Sequence, residues 1–328
     1  MFNKYRKPKI GLVLNGGGAR GPFQFGVYLA LIKYGLNKQI IATSGASIGA
    51  FSSAFFLADD PHLIYQTWLK IDNQLIKSNK TSNNIFSILS NTLIKQNKGY
   101  YSRENLEKFI NDMVNLEDLL KKARPTYVSL AECIKENDKV IDYKAKYVKL
   151  NNLSQHEIVQ YLLATSAIPL VFDPVTINGT TYVDPMKADN EPYKPILNYD
   201  YDFLFIVPLN NSHLNKFYPK DFSKPIVDFS CPQLFKMKTL NMLDFNVEKT
   251  DEYISLGFQT ADLLLKCIKD KGDLHMLTNK QKKNCKQYYS LKTFNIQDIN
   301  FDIIPLKDII KDINNHLSKK EQIDLWNK

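Results

Sequence analysis

Residues 9–50, KIGLVLNGGGARGPFQFGVYLALIKYGLNKQIIATSGASIGA, decide the fold. Lys9 to Leu14 is a short, strongly apolar run that passes straight into glycines, as a buried strand entering a tight turn does. Phe23 to Tyr34 places Phe25, Tyr28, Leu29, Leu31 and Ile32 at helical spacings, with Gly35 as the stop. A second strand, Ile40 to Ser44, meets Gly45-Ala46-Ser47-Ile48-Gly49, and Ala50 to Ala58 reads as a buried helix. Strand, glycine turn, helix, strand, tight turn, helix is the alternation of a parallel sheet with helices packed on its faces.

The two turns differ in meaning. Gly16, Gly18 and Gly21 fit the G-x-G-x-x-G spacing of a dinucleotide loop, but that fold needs an acid at the end of the second strand to hold the ribose, and Gly45 stands there. A Walker loop is excluded because no Lys-Ser/Thr follows at the required spacing. The second turn is G-x-S-x-G. Ser47 between Gly45 and Gly49 sits where a strand folds sharply into a helix, which presents a hydroxyl at the helix N-terminus above the sheet. An acyl-transfer serine needs preorganised donors for the oxyanion, each worth roughly 2.7–4 kcal/mol in the transition state. The bare amides of Gly16, Gly17 and Gly18 leave a neighbouring strand at the same sheet edge, where open α/β sheets build their sites. A hydrolase therefore fits better than a nucleotide-binding module.

Such a serine also needs a base. His62, His156, His213, His275 and His316 all lie in polar stretches without a recognisable turn context. Asp184 follows the apolar end of a strand in ATSAIPLVFDPVTINGTTYVDPMKADNEP, residues 164–192. On its own an Asp in a turn reads as structural.

Elsewhere, helices are predicted over Pro61–Ile76, from Ser102 to about Val114, after Ser154, over Thr250–Lys269 and within 304–325. Pro125–Ala131, Val140–Val148 and Phe203–Val207 read as strands, and Val175–Val183 as a hairpin turning at Asn178-Gly179. The chain of 328 residues is 44% hydrophobic and 23% charged, which excludes wholesale disorder and fibrous classes. Its net charge of +9 favours an anionic partner. Cys133, Cys231, Cys267 and Cys285 are too dispersed for a zinc site or a disulfide framework. Neither a signal peptide nor a membrane span of about 18 apolar residues is legible, so a cytoplasmic or peripheral-membrane protein is expected, with export by a signal-less route left open.

Three blocks together, GLVLNGGGARGPFQFGVYLAL, SGASIGA and residues 164–192, resemble the patatin-like phospholipases. In the third, Ala164 to Pro169, Phe172, Asp184, Asn190 and Pro192 fall in register with the family pattern. The resemblance implies an α/β three-layer sandwich with a mainly parallel central sheet flanked by helices. It implies Ser47 as nucleophile, Asp184 as base without a histidine, and Gly16, Gly17, Gly18 and the Arg20 backbone as oxyanion hole, with Gly45 and Gly49 forming the nucleophile elbow. Neither metal nor cofactor is implied, and the substrate class is phospholipid or lysophospholipid esters. The organisation expected is a catalytic core over 8–210, a cap-like insertion at about 61–150, and a helical, lysine-rich extension over 211–328 packed on the core. The charge then points to an anionic membrane surface and not to nucleic acid. One departure stands out: the family's D-G-G/A is Asp184-Pro185-Met186 here. Proline has no N–H, holds φ near −65° and pushes the preceding residue toward extended backbone. A turn that needed a donor or a positive φ at that position would displace the carboxylate. The competing reading is therefore a weak or inactive relative serving as a basic membrane-binding or host-interaction module, with Lys280, Lys282, Lys283 and Lys286 among its cations.

Overall fold

The computed structural model describes residues 7–71, 104–112, 116–210, 224–236, 244–270, 288–296 and 299–327. The opening stretch folds as the alternation predicts: β1 (Ile10–Leu14), α1 (Pro22–Lys33), β2 (Ile40–Ala46) and α2 (Ile48–Phe55). α3 (Pro61–Leu69) starts on a proline, and the Asp60 side chain accepts from the Leu63 amide as its cap. Then come α4 (Glu104–Asp112), α5 (Leu116–Lys122), β3 (Thr126–Glu136), β4 (Lys139–Lys149) and α6 (Gln155–Thr165). α6 opens on a capping box between Ser154 and Glu157. β5 (Val175–Ile177) and β6 (Thr180–Val183) form the expected hairpin, with Asn178 and Gly179 both at positive φ, 48° and 79°.

β7 (Phe203–Val207), β8 (Ile226–Asp228), α7 (Pro232–Lys236), α8 (Thr250–Asp270), β9 (Tyr288–Tyr289) and α9 (Leu306–Asn314) complete the described elements. The strands form one sheet in the order β5-β6-β3-β2-β1-β7-β8-β9, with β4 on the other edge of β3. From β3 through β9 all neighbours are parallel; the pairs of β3 with β4 and β6, and of β5 with β6, are antiparallel.

Strand periodicity divides the core in two. Ile10, Leu12 and Leu14 of β1 and Phe203, Phe205 and Val207 of β7 face the larger apolar cluster, which takes in α1, α2, α6, α8 and α9. Val13, Leu204 and Ile206 face the other side, where Ile196 of a 3-10 helix over Lys194–Asn198 and several tyrosines cover the sheet.

Two expectations about organisation change. The stretch 61–150 is not wholly a cap: β3 lies inside the sheet, with β4 on one edge and β2 and β6 on the other, while residues 72–103 of that stretch fall outside the described residues. The region after 211 is not only helical, because it adds β8 and β9 to the sheet. Its helices are also tied to the core. Lys33 of α1, with only 9% of its side chain exposed, bonds Asp262 of α8 at 2.7 Å and Asp312 of α9 at 2.8 Å. Burial alone would lower the Lys33 pKa; the two carboxylates outweigh it and the pKa is raised. Lys33→Met leaves two carboxylates facing each other with partial access to water, so a loss of about 2 kcal/mol is expected in denaturant unfolding, below the usual cost of breaking a fully buried pair. Lys280, Lys282, Lys283 and Lys286, together with Cys285, His213 and His275, lie outside the described residues.

Candidate active site

β3 brings Ser47 and Asp184 together. Its outer edge is taken along its length by β4, so β2 and β6 share the opposite edge. β2 runs parallel to β3 and its pairing ends at Ala46 opposite Ser129; β6 runs antiparallel and its pairing ends at Val183 opposite Ala131. The two strands thus approach head-on, separated by the span from Ser129 to Ala131, about 6.6 Å at 3.3 Å per residue. The next residue of each chain is Ser47 and Asp184.

Ser47 is strained. It has φ 52° and ψ −125°, a conformation that glycine adopts freely and serine rarely. The neighbouring glycines make the bend feasible. A Cβ on Gly49 would lie 2.1 Å from the Leu14 carbonyl oxygen, and one on Gly45 would lie 2.2 Å from that of Gly49. The turn therefore packs backbone on backbone, which accounts physically for the G-x-S-x-G spacing. The Ser47 amide donates to Thr165 Oγ1 at 2.9 Å, and the Thr165 hydroxyl donates to the Ser129 carbonyl at 2.7 Å.

Asp184 is 2% exposed. Its amide donates to the Ala167 carbonyl at 2.9 Å, and its Oδ1 accepts the Met186 amide at 2.9 Å. Oδ2 is buried and has no hydrogen bond of ordinary geometry. Burial pushes the carboxyl up from 3.8 to about 6, opposed first by the Ser47 hydroxyl and then by the Met186 amide. Among the described residues no charged group compensates it. Pro185 is accommodated: Asp184 has φ −52° and ψ 134°, the extended backbone that a following proline favours. Pro185 opens a 3-10 turn over Pro185–Lys187, where its missing N–H is not needed, and the donor to Asp184 comes from residue 186. The D-P-M departure therefore leaves the carboxylate beside Ser47.

The glycine loop meets the same point, since a Cβ on Gly16 would stand 3.1 Å from Ser47 Cβ. Asn190 straps this loop: its Nδ2 donates to the Gly16 carbonyl at 3.1 Å, and its own carbonyl accepts the Gly16 amide at 3.4 Å. The Arg20 amide donates to the Gly17 carbonyl at 3.4 Å, and its buried guanidinium donates to the Leu209 carbonyl at 2.9 Å. Of the four expected oxyanion donors, the Gly16 and Arg20 amides are thus engaged, while those of Gly17 and Gly18 make no backbone bond among the described residues. Asn15 Nδ2 donates to Glu191 Oε2 at 2.9 Å, a second link from the loop to the segment after Asp184.

No described histidine bonds Ser47 or Asp184. His156 is exposed at the start of α6, and His316 sits on the Asp312 carbonyl after α9. Thr165, Asn15 and Glu191 lie within the blocks that carry the resemblance, but no role for them was legible there. Thr165 is an ordinary helix-terminal residue until the gap between β2 and β6 is seen.

A family model described as Patatin-like phospholipase matches residues 12–196, a span that holds both turns and Asp184. A probable lipid hydrolase, 463L, of Invertebrate iridescent virus 6 is 24% identical over 204 residues, covering 59% of this chain. The match takes in 66% of that protein, just under two thirds of its length. Among solved structures, VipD from Legionella pneumophila is 13% identical with a TM-score of 0.36, covering 97% of this chain and 81% of that one. Human GIVD cytosolic phospholipase A2, in complex with methyl gamma-linolenyl fluorophosphonate, is 11% identical with a TM-score of 0.40, covering 81% and 59%.

Proposed function

Because the chain belongs to the patatin-like phospholipase family, we propose that it is a serine lipid acyl hydrolase cleaving carboxylic ester bonds of phospholipids or lysophospholipids through a Ser47–Asp184 dyad. The observation that carries this reading is the meeting of the ends of β2 and β6, which brings Ser47 to Asp184, whose buried Oδ2 has no hydrogen-bond partner. Ser47 Oγ attacks the ester carbonyl as Asp184 takes its proton. The Gly17 and Gly18 amides receive the developing oxyanion. Collapse breaks the ester C–O bond, Asp184 returns the proton to the leaving oxygen, and the acyl group stays on Ser47. Asp184 then deprotonates a water that attacks the acyl-enzyme, releasing the fatty acid and regenerating the serine.

Leu170 and Met186 support an acyl substrate. Both are large, apolar and exposed, at 44% and 58%. Met186 supplies the amide that binds Asp184, and Leu170 follows Ala167, whose carbonyl holds the Asp184 amide, by three residues. The net charge of +9 favours an anionic lipid surface as the place where substrate is met.

The pH profile and a covalent probe test the dyad. A base titrating at about 6 must be ionised to work, so kcat/KM on a soluble short-chain ester is expected to fall about tenfold per pH unit below about 6 and to level off above it. A fluorophosphonate is expected to modify Ser47, read by peptide mass mapping. Modification of a different serine, or a rate independent of pH between 5 and 7, would overturn the reading.

A further inference from the structure

Ser47 depends on a residue that takes no part in the proton transfers. β2 leaves the edge of β3 after Ser129, and β6 joins that edge only at Ala131. The carbonyl of Ser129 and the amide of Ser47 both face this break in the ladder, and both are claimed by one hydroxyl. Thr165 Oγ1 accepts from the Ser47 amide at 2.9 Å and donates to the Ser129 carbonyl at 2.7 Å. A hydroxyl has one proton, so the two roles are fixed: donor to β3, acceptor from the elbow. Thr165 is 0% exposed, so water does not replace it. It is the last residue of α6, and two residues later the Ala167 carbonyl holds the amide of Asp184. The end of one helix therefore grips the backbone of both members of the pair.

We propose that Thr165 is a positioning residue that locks the strained backbone of Ser47 to β3 and so aims Oγ at Asp184. The proposal rests on Ser47 being the nucleophile. At φ 52° a serine drifts toward ordinary backbone unless its neighbours over-determine it. The flanking glycines permit the bend but do not hold it; the Thr165 hydroxyl does. A displacement of the nucleophile by about 1 Å is enough to cost on the order of 100-fold in rate.

The test compares Thr165→Val, Thr165→Ser and Ser47→Ala with the wild type on p-nitrophenyl butyrate and in the rate of fluorophosphonate labelling. Thr165→Val keeps the shape and removes both hydrogen bonds. It is expected to lower kcat and the labelling rate together by about 10- to 100-fold, with KM within about twofold and the acid limb still near 6. Thr165→Ser keeps the hydroxyl and is expected to recover most of both rates. Labelling of Thr165→Val at the wild-type rate would overturn the proposal, as would a serine variant as slow as the valine one, since the methyl group and not the hydroxyl would then matter. Melting temperatures establish that each variant is folded. If Thr165→Val does not fold, Thr165→Cys, close in volume and a poor acceptor, is read against Thr165→Ser in the same way. Persistent turnover or labelling in Ser47→Ala is a separate outcome and strikes the nucleophile assignment instead.

Discussion

Ser47→Gly is expected to abolish ester hydrolysis, by on the order of 10⁴–10⁶-fold, as removal of a catalytic serine does, and at the same time to make the protein more stable. The two effects have one origin. The elbow holds residue 47 at φ 52° and ψ −125° so that its side chain faces Asp184. Holding a non-glycine residue there costs about 1–3 kcal/mol, and glycine adopts it without strain. Against that relief stands the greater freedom of glycine in the unfolded chain, about 0.5–1 kcal/mol. The net expectation is a gain of about 1 kcal/mol, a melting temperature higher by roughly 1–2 °C. Ser47→Ala is expected to be equally inactive but without the gain, since alanine keeps the Cβ and the strain. A glycine variant that melted at or below the alanine variant would mean that the elbow stores no strain at residue 47.

The elbow was legible in the sequence because its causes are local. Gly45 and Gly49 are required by backbone contacts within the turn and with the adjacent β1, and the apolar runs that flank them announce strand and helix. The Asn178-Gly179 hairpin and the start of a helix after Ser154 were readable for the same reason, because each is decided by residues close in sequence. Asp184 was not legible from pattern. An Asp after a strand is common in turns, and only resemblance to a family singled it out. β3 was read as strand-like yet assigned to a cap, because its place in the sheet is set by Thr43 to Ala46, far away in sequence. β8 and β9, with three and two residues, are too short to show alternation. Thr165 and the division of labour among the glycine amides depend on where three strands start and stop, and no local pattern encodes that.

The same separation of activity from stability is expected at Asp184, the proposed base, with a pH dependence that gives it away. Asp184→Asn is expected to lower kcat by on the order of 10⁴-fold, because an amide cannot accept the serine proton, while raising stability at neutral pH. Burial lifts the Asp184 carboxyl from 3.8 to about 6 in the native state. The native state therefore holds this proton more tightly than the unfolded chain does. Below about pH 4 both states carry it and the site costs nothing through ionisation. As pH rises from about 4 to about 6 the unfolded chain releases the proton first, and the native state loses stability relative to it. Above 6 both are ionised and the full penalty stays, about 3 kcal/mol for a difference of about two pH units. Asparagine removes that titration and keeps an oxygen to accept the Met186 amide. Asp184→Asn should thus unfold much like the wild type at pH 4, and its advantage should grow up to about pH 6 and stay level to pH 8. Denaturant titrations of both proteins across that range read the difference directly. A wild type as stable as the variant at pH 8 would show that the Asp184 carboxylate is paid for by a partner, and the acid limb expected in the rate profile would then move well below 6.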